Sequence, residues 1–107
     1  MTVFEDFWKS LLAKLPCVVC VRFQQTGEEP SLHHVADGSG KRSTFSMVPL
    51  CHSHHQGRAG LHGMGTKAFI RLYRPPGENE YGLIVWMCED LSKFLRDRMG
   101  SKPSFDR

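Results

Sequence analysis

The chain has 107 residues, of which 40% are hydrophobic and 23% are charged, and its formal net charge at pH 7 is +3. This length fits one domain, which we predict to span residues 1–107. The longest apolar run, residues 83–88, is far shorter than the about 20 residues that a membrane span needs, and residues 1–3 do not begin a charged-then-apolar signal segment. We therefore expect a cytoplasmic protein without membrane contact.

The first predicted element is an amphipathic helix over about residues 3–15. Thr2 and Glu5 predict a capping box at its start, and Pro16 is expected to end it. Its apolar residues recur at spacings of three and four, which is typical of one buried helix face: Phe4, Phe7, Trp8, Leu11, Leu12 and Leu15. The β-branched segment 17–21 that follows predicts a zinc knuckle on a short β-ribbon.

Residues 32–48 predict a β-hairpin. Its strands are expected at 32–35 and 45–48, with a turn at 37–40 and Pro49 closing the second strand. The polar run 52–56 predicts one or two helical turns, which Gly57 and Gly60 stop. The expected order at the centre of the chain is therefore strand, strand, short helix.

Two more helices are expected towards the carboxyl terminus. Thr66 is a candidate cap for a helix that stops before Pro75. A last helix is expected over about residues 80–99, because its apolar residues share one face, although Gly82 weakens its start. Cys88, next to the apolar side chains of this helix, is expected to be a core thiol.

Two residue pairs have the spacing of metal ligands: Cys17-x2-Cys20 and Cys51-x2-His54. Four sulfur and nitrogen ligands suit a tetrahedral Zn²⁺ ion, and a helix beginning at Cys51 would present the second pair to one ion. The alternatives are buried structural cysteines with a surface histidine, or a redox C-x-x-C, which would want a parallel βαβ context that is missing here. We predict structural zinc.

The other histidines are His33, His34, His52, His55 and His62. Neighbours on a strand point to opposite faces, and neighbours on a helix diverge by about 100°. The two members of each pair, His33-His34 and His54-His55, are therefore expected to have different roles.

In combination, these motifs resemble those of HNH endonucleases. The similar segments are the C-x2-C pair, residues 32–35 (LHHV) and residues 48–55 (VPLCHSHH). With residues 60–65 (GLHGMG) and Phe69, they are similar, over about residues 17–74, to the phage RecA-dependent recombination-enhancement nuclease family. The resemblance implies an α+β fold in which a zinc-stabilised ββα-metal core (HNH, treble-clef-like) is flanked by the N-terminal helix 3–15 and the C-terminal helix 80–99.

The resemblance also implies an activity and residue roles. The chain would be a metal-dependent endonuclease that hydrolyses DNA phosphodiester bonds, with His34 as the general base. His33 and His55 would hold one catalytic divalent cation, Mg²⁺, Mn²⁺ or Zn²⁺. A histidine suits the base because its pKa lies near neutrality. A RecA-type recombinase is a partner implied by the family alone, and a phage-encoded copy would act in the host cytoplasm.

Two positions depart from the HNH pattern. HNH helices commonly place a third metal ligand one turn after the position that His55 occupies here. This chain has Ala59 at that place, which cannot bind a metal, so His62 is the expected third ligand. HNH proteins often have Asn where this chain has Ser46, and a serine makes a weaker version of the same bond to the backbone. Both departures favour an alternative, a zinc-stabilised nucleic-acid-binding module with a decayed active site. A third reading is a purely structural zinc adaptor, which leaves the histidines unexplained.

Basic residues follow the hairpin turn and the second Cys/His pair. Those expected to contact DNA phosphates are Lys41, Arg42, Arg58, Lys67 and Arg71. A solvated surface is the equally supported alternative for any one of them.

Overall fold

The structure is a computed structural model that describes residues 2–25, 29–36 and 42–99, with side chains throughout except at 36 and 42–44. The helices are α1 (Val3–Leu12), α2 (Val18–Phe23), α3 (His52–His55), α4 (Leu61–Met64), α5 (Thr66–Tyr73) and α6 (Tyr81–Met99), and a 3-10 turn lies at Pro76–Glu78. The strands are β1 (Ser31–Ala36) and β2 (Arg42–Leu50). The described chain is a small α+β fold.

The two strands form an antiparallel sheet, as the sequence predicts. Pairing is regular from Ser31 opposite Leu50 to His34 opposite Met47, and the register then shifts between His34 and Ala36. The predicted turn at 37–40 lies outside the described residues. Pro49 does not close β2, because each strand of a two-stranded sheet has one unpaired edge, where a proline costs no ladder hydrogen bond.

Helix α1 has the predicted capping box. The Thr2 amide donates to Glu5 Oε1 at 2.8 Å, and the Glu5 amide donates to Thr2 Oγ1 at 3.1 Å. The helix ends at Leu12 and not at residue 15, because the amides of Lys14 and Leu15 bond to carbonyls only three residues back. This tighter turn accompanies the burial of Leu15, which is 2% exposed.

The prediction of a β-ribbon after Pro16 is wrong, because Val18–Phe23 is a helix. Val18 and Val19 are fully buried, and the carbonyl of Cys17 accepts from the Val21 amide at 3.1 Å. Burial in this position outweighs the preference of β-branched residues for strands. Arg22 then joins α2 to α6 through bonds of 2.9 Å to both Glu89 and Asp90.

The hydrophobic core lies between α1, α2, the sheet and α6. Its fully buried side chains include Leu12, Val35, Met47, Leu50, Phe69 and Leu83. Helix α6 has nearly the predicted bounds, but Cys88 is exposed, so its prediction as a core thiol is wrong. Cys88 follows the buried Met87 by one position, which turns it by about 100° away from the core.

Sequence reasoning missed helix α4. It also predicted Thr66 as the cap of α5, whereas Thr66 is the first residue of this helix. The residue that precedes α5 is Gly65, with φ of 94°, and Thr66 is already helical. Gly82 is buried at the start of α6, where the structure needs its lack of a side chain. Among the described residues, no helix is long and apolar enough to cross a membrane.

Candidate metal centres

Three cysteines and one histidine converge in the core with the geometry of a zinc site. Cys17, Cys20, Cys51 and His54 are all buried, and their ligand atoms lie within 4.8 Å of one another. Zn–S bonds of about 2.3 Å and Zn–N bonds of about 2.0–2.1 Å around a tetrahedral ion require S···S edges of about 3.8 Å and S···N edges of about 3.5 Å. The Cys20–Cys51 sulfurs are 3.7 Å apart, and Cys17 Sγ is 3.5 Å from His54 Nδ1. The cluster could therefore hold a metal ion such as zinc.

Each pair of this cluster is placed by the start of a short helix. Cys17 precedes α2 and Cys20 lies in its first turn, while Cys51 precedes α3 and His54 lies in its first turn. The His54 amide bonds to the Cys51 carbonyl at 3.1 Å, which closes that turn. A spacing of three residues across a helix start places both side chains of a pair on one side. The two helices therefore present four ligands to a single point.

At neutral pH, Cys17 and Cys20 must release protons when a metal ion binds. Burial, followed by the neighbouring Cys17, raises the pKa of Cys20 to about 12. Burial also raises the pKa of Cys17. Cys17 and Cys20 are therefore neutral thiols in the metal-free cluster. Because thiolates are the ligands, a binding metal displaces the protons of these two residues.

A second cluster contains three of the remaining histidines. His33 on β1, His55 on α3 and His62 on α4 offer ligand atoms within 4.8 Å of one another. Their ring centroids are 5.1 Å (His33–His55), 5.2 Å (His33–His62) and 4.8 Å (His55–His62) apart. His33 and His55 are buried, whereas His62 is exposed, so this histidine cluster opens to solvent on the His62 side.

Glycines bring His62 to the cluster where Ala59 supplies no ligand. A side chain on Gly60 would strike the Ser53 carbonyl oxygen, and one on Gly63 would overlap the Gly57 carbonyl oxygen. The backbone after α3 therefore folds back so close to the backbone of residues 53–58 that only glycine fits at these two positions. As a result, α4 starts beside α3. This path places His62 next to His55 without a continuous helix.

Sequence reasoning missed two residues that touch the histidine cluster. The Glu80 carboxylate, just before α6, accepts a hydrogen bond of 2.7 Å from His33 Nε2. The Ser31 hydroxyl lies 2.9 Å from His55 Nδ1. Ser31 could have been found, because it lies two residues before His33 on the same strand face. Glu80 is 47 residues from His33, and no spacing rule connects them.

The environment of His55 keeps its imidazole neutral. Burial, and then the neighbouring His33, His62 and His52, lower the pKa of His55 from 6.5 to about 4. A histidine binds metal through the lone pair of its neutral form. His55 is therefore ready to act as a ligand at and well below neutral pH.

We expect His55 to stay neutral from about pH 8 to about pH 5 in protein without a second metal ion, because its pKa lies near 4. In the unfolded chain the pKa of this residue is near 6.5, so the unfolded state takes up the proton first as the pH falls. The free energy of unfolding is therefore expected to be highest above pH 6.5 and to decrease as the pH falls towards 4. A ¹⁵N NMR titration of the ring measures the midpoint. His62→Gln is expected to raise it, and a wild-type midpoint near 6.5 would contradict the prediction.

His34, expected to be the general base, is outside the histidine cluster. Strand pairing is still regular at His34, so side-chain alternation assigns it to the face of β1 opposite His33. The register shift begins immediately after it, and such irregularities re-aim side chains. Ser46, the residue expected to replace an asparagine of the HNH pattern, is half-buried in β2.

The predicted DNA-contacting residues lie at separate places. Lys67 and Arg71 are exposed one turn apart on α5, and both line a groove of about 390 Å³ that also includes Glu80. Arg58 is exposed in the turn after α3. Arg42 begins β2, and Lys41 and the Arg42 side chain lie outside what the structure describes.

A comparison of the sequence with models of known protein families identifies one family. A family model described as "Recombination enhancement, RecA-dependent nuclease" matches residues 2–86, which include both clusters and Glu80. The chain belongs to this nuclease family. No curated protein and no solved structure matches the chain at a significant level.

Membership in the RecA-dependent nuclease family agrees with the family suspected from the sequence motifs. The family's name implies a nuclease that acts in recombination, and hence an enzyme with a DNA substrate. The match covers α1 through to Trp86 of α6, so α1 and the beginning of α6 belong to the family pattern as well.

Proposed function

We propose that this member of the RecA-dependent nuclease family is an HNH-type endonuclease that hydrolyses DNA phosphodiester bonds with the help of a divalent cation. The observation that carries the proposal is the convergence of His33, His55 and His62 beside the Cys3His cluster. The succession of β1, β2 and α3 supports it, since a ββα-metal motif has this order of elements.

In this proposal the two clusters have different tasks. Cys17, Cys20, Cys51 and His54 hold a structural zinc ion, which closed thiolate-rich sites of four ligands favour. His33, His55 and His62 hold the catalytic cation, Mg²⁺, Mn²⁺ or Zn²⁺. Three imidazoles leave coordination positions for water or substrate, and the exposed His62 side supplies the opening.

His34 is proposed to take the proton from the attacking water. A bound divalent cation stabilises the charge that develops on the phosphate and on the leaving 3′-oxygen. The neutral state of His55 and the burial of His33 keep these two side chains available and ordered for that ion.

The proposed path of the DNA backbone follows α5. Lys67 and Arg71 neutralise phosphates in the groove that Glu80, the partner of His33, also lines. Arg58, Lys41 and Arg42 are proposed as further phosphate contacts around the hairpin and α3. Dependence on a RecA-type recombinase and action in the cytoplasm of a phage-infected host complete the proposal.

The test is a cleavage assay with circular single-stranded and double-stranded DNA. Wild-type protein is expected to cleave at least one substrate in the presence of Mg²⁺ or Mn²⁺. Cleavage is expected to stop when dialysis removes the weakly held ion, although elemental analysis still finds one zinc ion per chain. Parallel reactions with and without a RecA filament test recombinase dependence. His55→Ala is expected to abolish cleavage because it removes a buried ligand.

Cys88→Ser serves as the control, since Cys88 is exposed and outside both clusters. Tight DNA binding without cleavage under any of these conditions would contradict the enzyme and favour the binding module with a decayed site. Cleavage by His55→Ala at the wild-type rate would contradict the assignment of this cluster.

A further inference from the structure

The contact between Glu80 and His33 joins distant parts of the chain at the histidine cluster. His33 Nε2 lies 2.7 Å from Glu80 Oε2, a distance typical of a strong charge-assisted hydrogen bond. The His33 side chain is 7% exposed and that of Glu80 is 21% exposed, and Glu80 also lines the groove along α5. Nothing in the HNH resemblance assigns a role to this residue.

The hydrogen bond determines which nitrogen of His33 can bind a metal ion. The lone-pair direction of Nε2 points at the Glu80 carboxylate, so in the neutral ring Nε2 carries the proton and Nδ1 carries the free lone pair. Among the described residues, the group of possible ligands around His33 contains His33, His55 and His62, whose ligand atoms lie within 4.8 Å of one another. Glu80 is not part of this group. Glu80 therefore lies behind His33 and not among the ligands.

We propose that Glu80 is a positioning residue that holds His33 as its Nε2–H tautomer and directs Nδ1 to the cation. The proposal rests on the proposed function of the histidine cluster as a cation site. Metal-binding histidines commonly donate their second ring N–H to a carboxylate, which fixes the ring orientation and makes the ligand nitrogen more basic. Ser31 occupies the matching place beside Nδ1 of His55, which leaves Nε2 of His55 for the ion.

The backbone around Glu80 is built to hold this carboxylate in place. The Asn79 side chain accepts from the Gly82 amide at 3.2 Å, which caps the start of α6. A side chain on Gly82 would overlap the Pro76 carbonyl oxygen, so α6 begins in close contact with the preceding turn. Glu80 lies between these two anchors in the sequence, and its carbonyl accepts from the Leu83 amide at 3.0 Å.

The charge of Glu80 has a second effect. Three neutral imidazoles bring no negative charge to a dication, whereas Glu80 places one carboxylate directly behind the first ligand. A carboxylate in this position strengthens the attraction for a divalent ion without taking a coordination position from water or substrate.

The experiment compares Glu80→Ala and Glu80→Gln with the matched control Glu78→Gln. Glu78 is a carboxylate of the same groove and is exposed. Zinc-loaded protein is titrated with Co²⁺, and ¹⁵N NMR of the His33 ring identifies the tautomer before and after addition of Zn²⁺ to the second site. Glu80→Ala is expected to weaken Co²⁺ binding about 10- to 100-fold and to lose the Nε2–H tautomer. Glu80→Gln is expected to weaken binding less, because its amide oxygen still accepts the bond, and Glu78→Gln to change nothing.

Two results would overturn the proposal. One is unchanged Co²⁺ affinity in Glu80→Ala, and the other is a wild-type His33 ring that carries its proton on Nδ1. Failure of the proposed function looks different. If wild-type protein binds no second ion, the cation site is rejected, while the tautomer in zinc-loaded wild type and Glu80→Ala, measured before any second ion is added, still decides whether Glu80 positions His33.

Discussion

Replacing Cys51 by Ser is expected to abolish the cooperative unfolding transition of the protein. Cys51 is fully buried, and its sulfur lies 3.2 Å from His54 Nδ1 and 3.7 Å from Cys20 Sγ. Structural zinc contributes on the order of 10 kcal/mol of apparent binding free energy in small domains, which is comparable with the about 5–15 kcal/mol that separates folded from unfolded states. The measurements are elemental analysis for zinc, near-UV circular dichroism and thermal denaturation.

Cys88→Ser is the matched control, because it makes the same chemical change at an exposed position outside both clusters. It is expected to keep one zinc per chain and the wild-type melting temperature. Wild-type protein that is metal-free by elemental analysis and yet shows a native near-UV spectrum would contradict a structural role for zinc.

His34→Ala is expected to lower the rate of DNA cleavage by about 10²- to 10⁴-fold and to leave cation binding and DNA affinity nearly unchanged, because it removes a general base and no ligand. His33→Ala is expected to lose the cation together with activity, since His33 belongs to the histidine cluster. Single-turnover cleavage rates, Co²⁺ titration and DNA-binding isotherms separate the two results.

His52→Ala is the control for these two variants. His52 lies on α3 next to both clusters, but it is exposed and belongs to neither. It is expected to cleave like wild type. Cleavage by His34→Ala at the wild-type rate would remove His34 from the mechanism, and loss of the cation in that variant would mean that the roles of His33 and His34 must be exchanged.

The sequence was informative where chemistry depends on short spacings. The pairs Cys17-x2-Cys20 and Cys51-x2-His54 predicted the four-residue cluster, because one helical turn places both members of a pair on one side. The strand His33-His34 pair likewise predicted that only one of the two would face the other histidines. The hairpin and the last helix followed from apolar periodicity.

Prediction failed where long-range contacts decide. Val18 and Val19 favour a strand locally, but their complete burial beside the cysteine ligands accompanies a helix. Cys88 is adjacent in sequence to core residues and yet points away from them. Glu80 reaches His33 only because the turn at Pro76 and the start of α6 return to the sheet, which no local pattern reveals.

The adjacency of His54 and His55 predicts an order of assembly for the two clusters. These neighbours on the four-residue helix α3 belong to different clusters, and so short a helix has little stability of its own. We expect a newly made chain that has not bound zinc to lack an ordered α3 and therefore to leave the histidines unarranged. Copies of this nuclease without metal are then expected to leave DNA uncut.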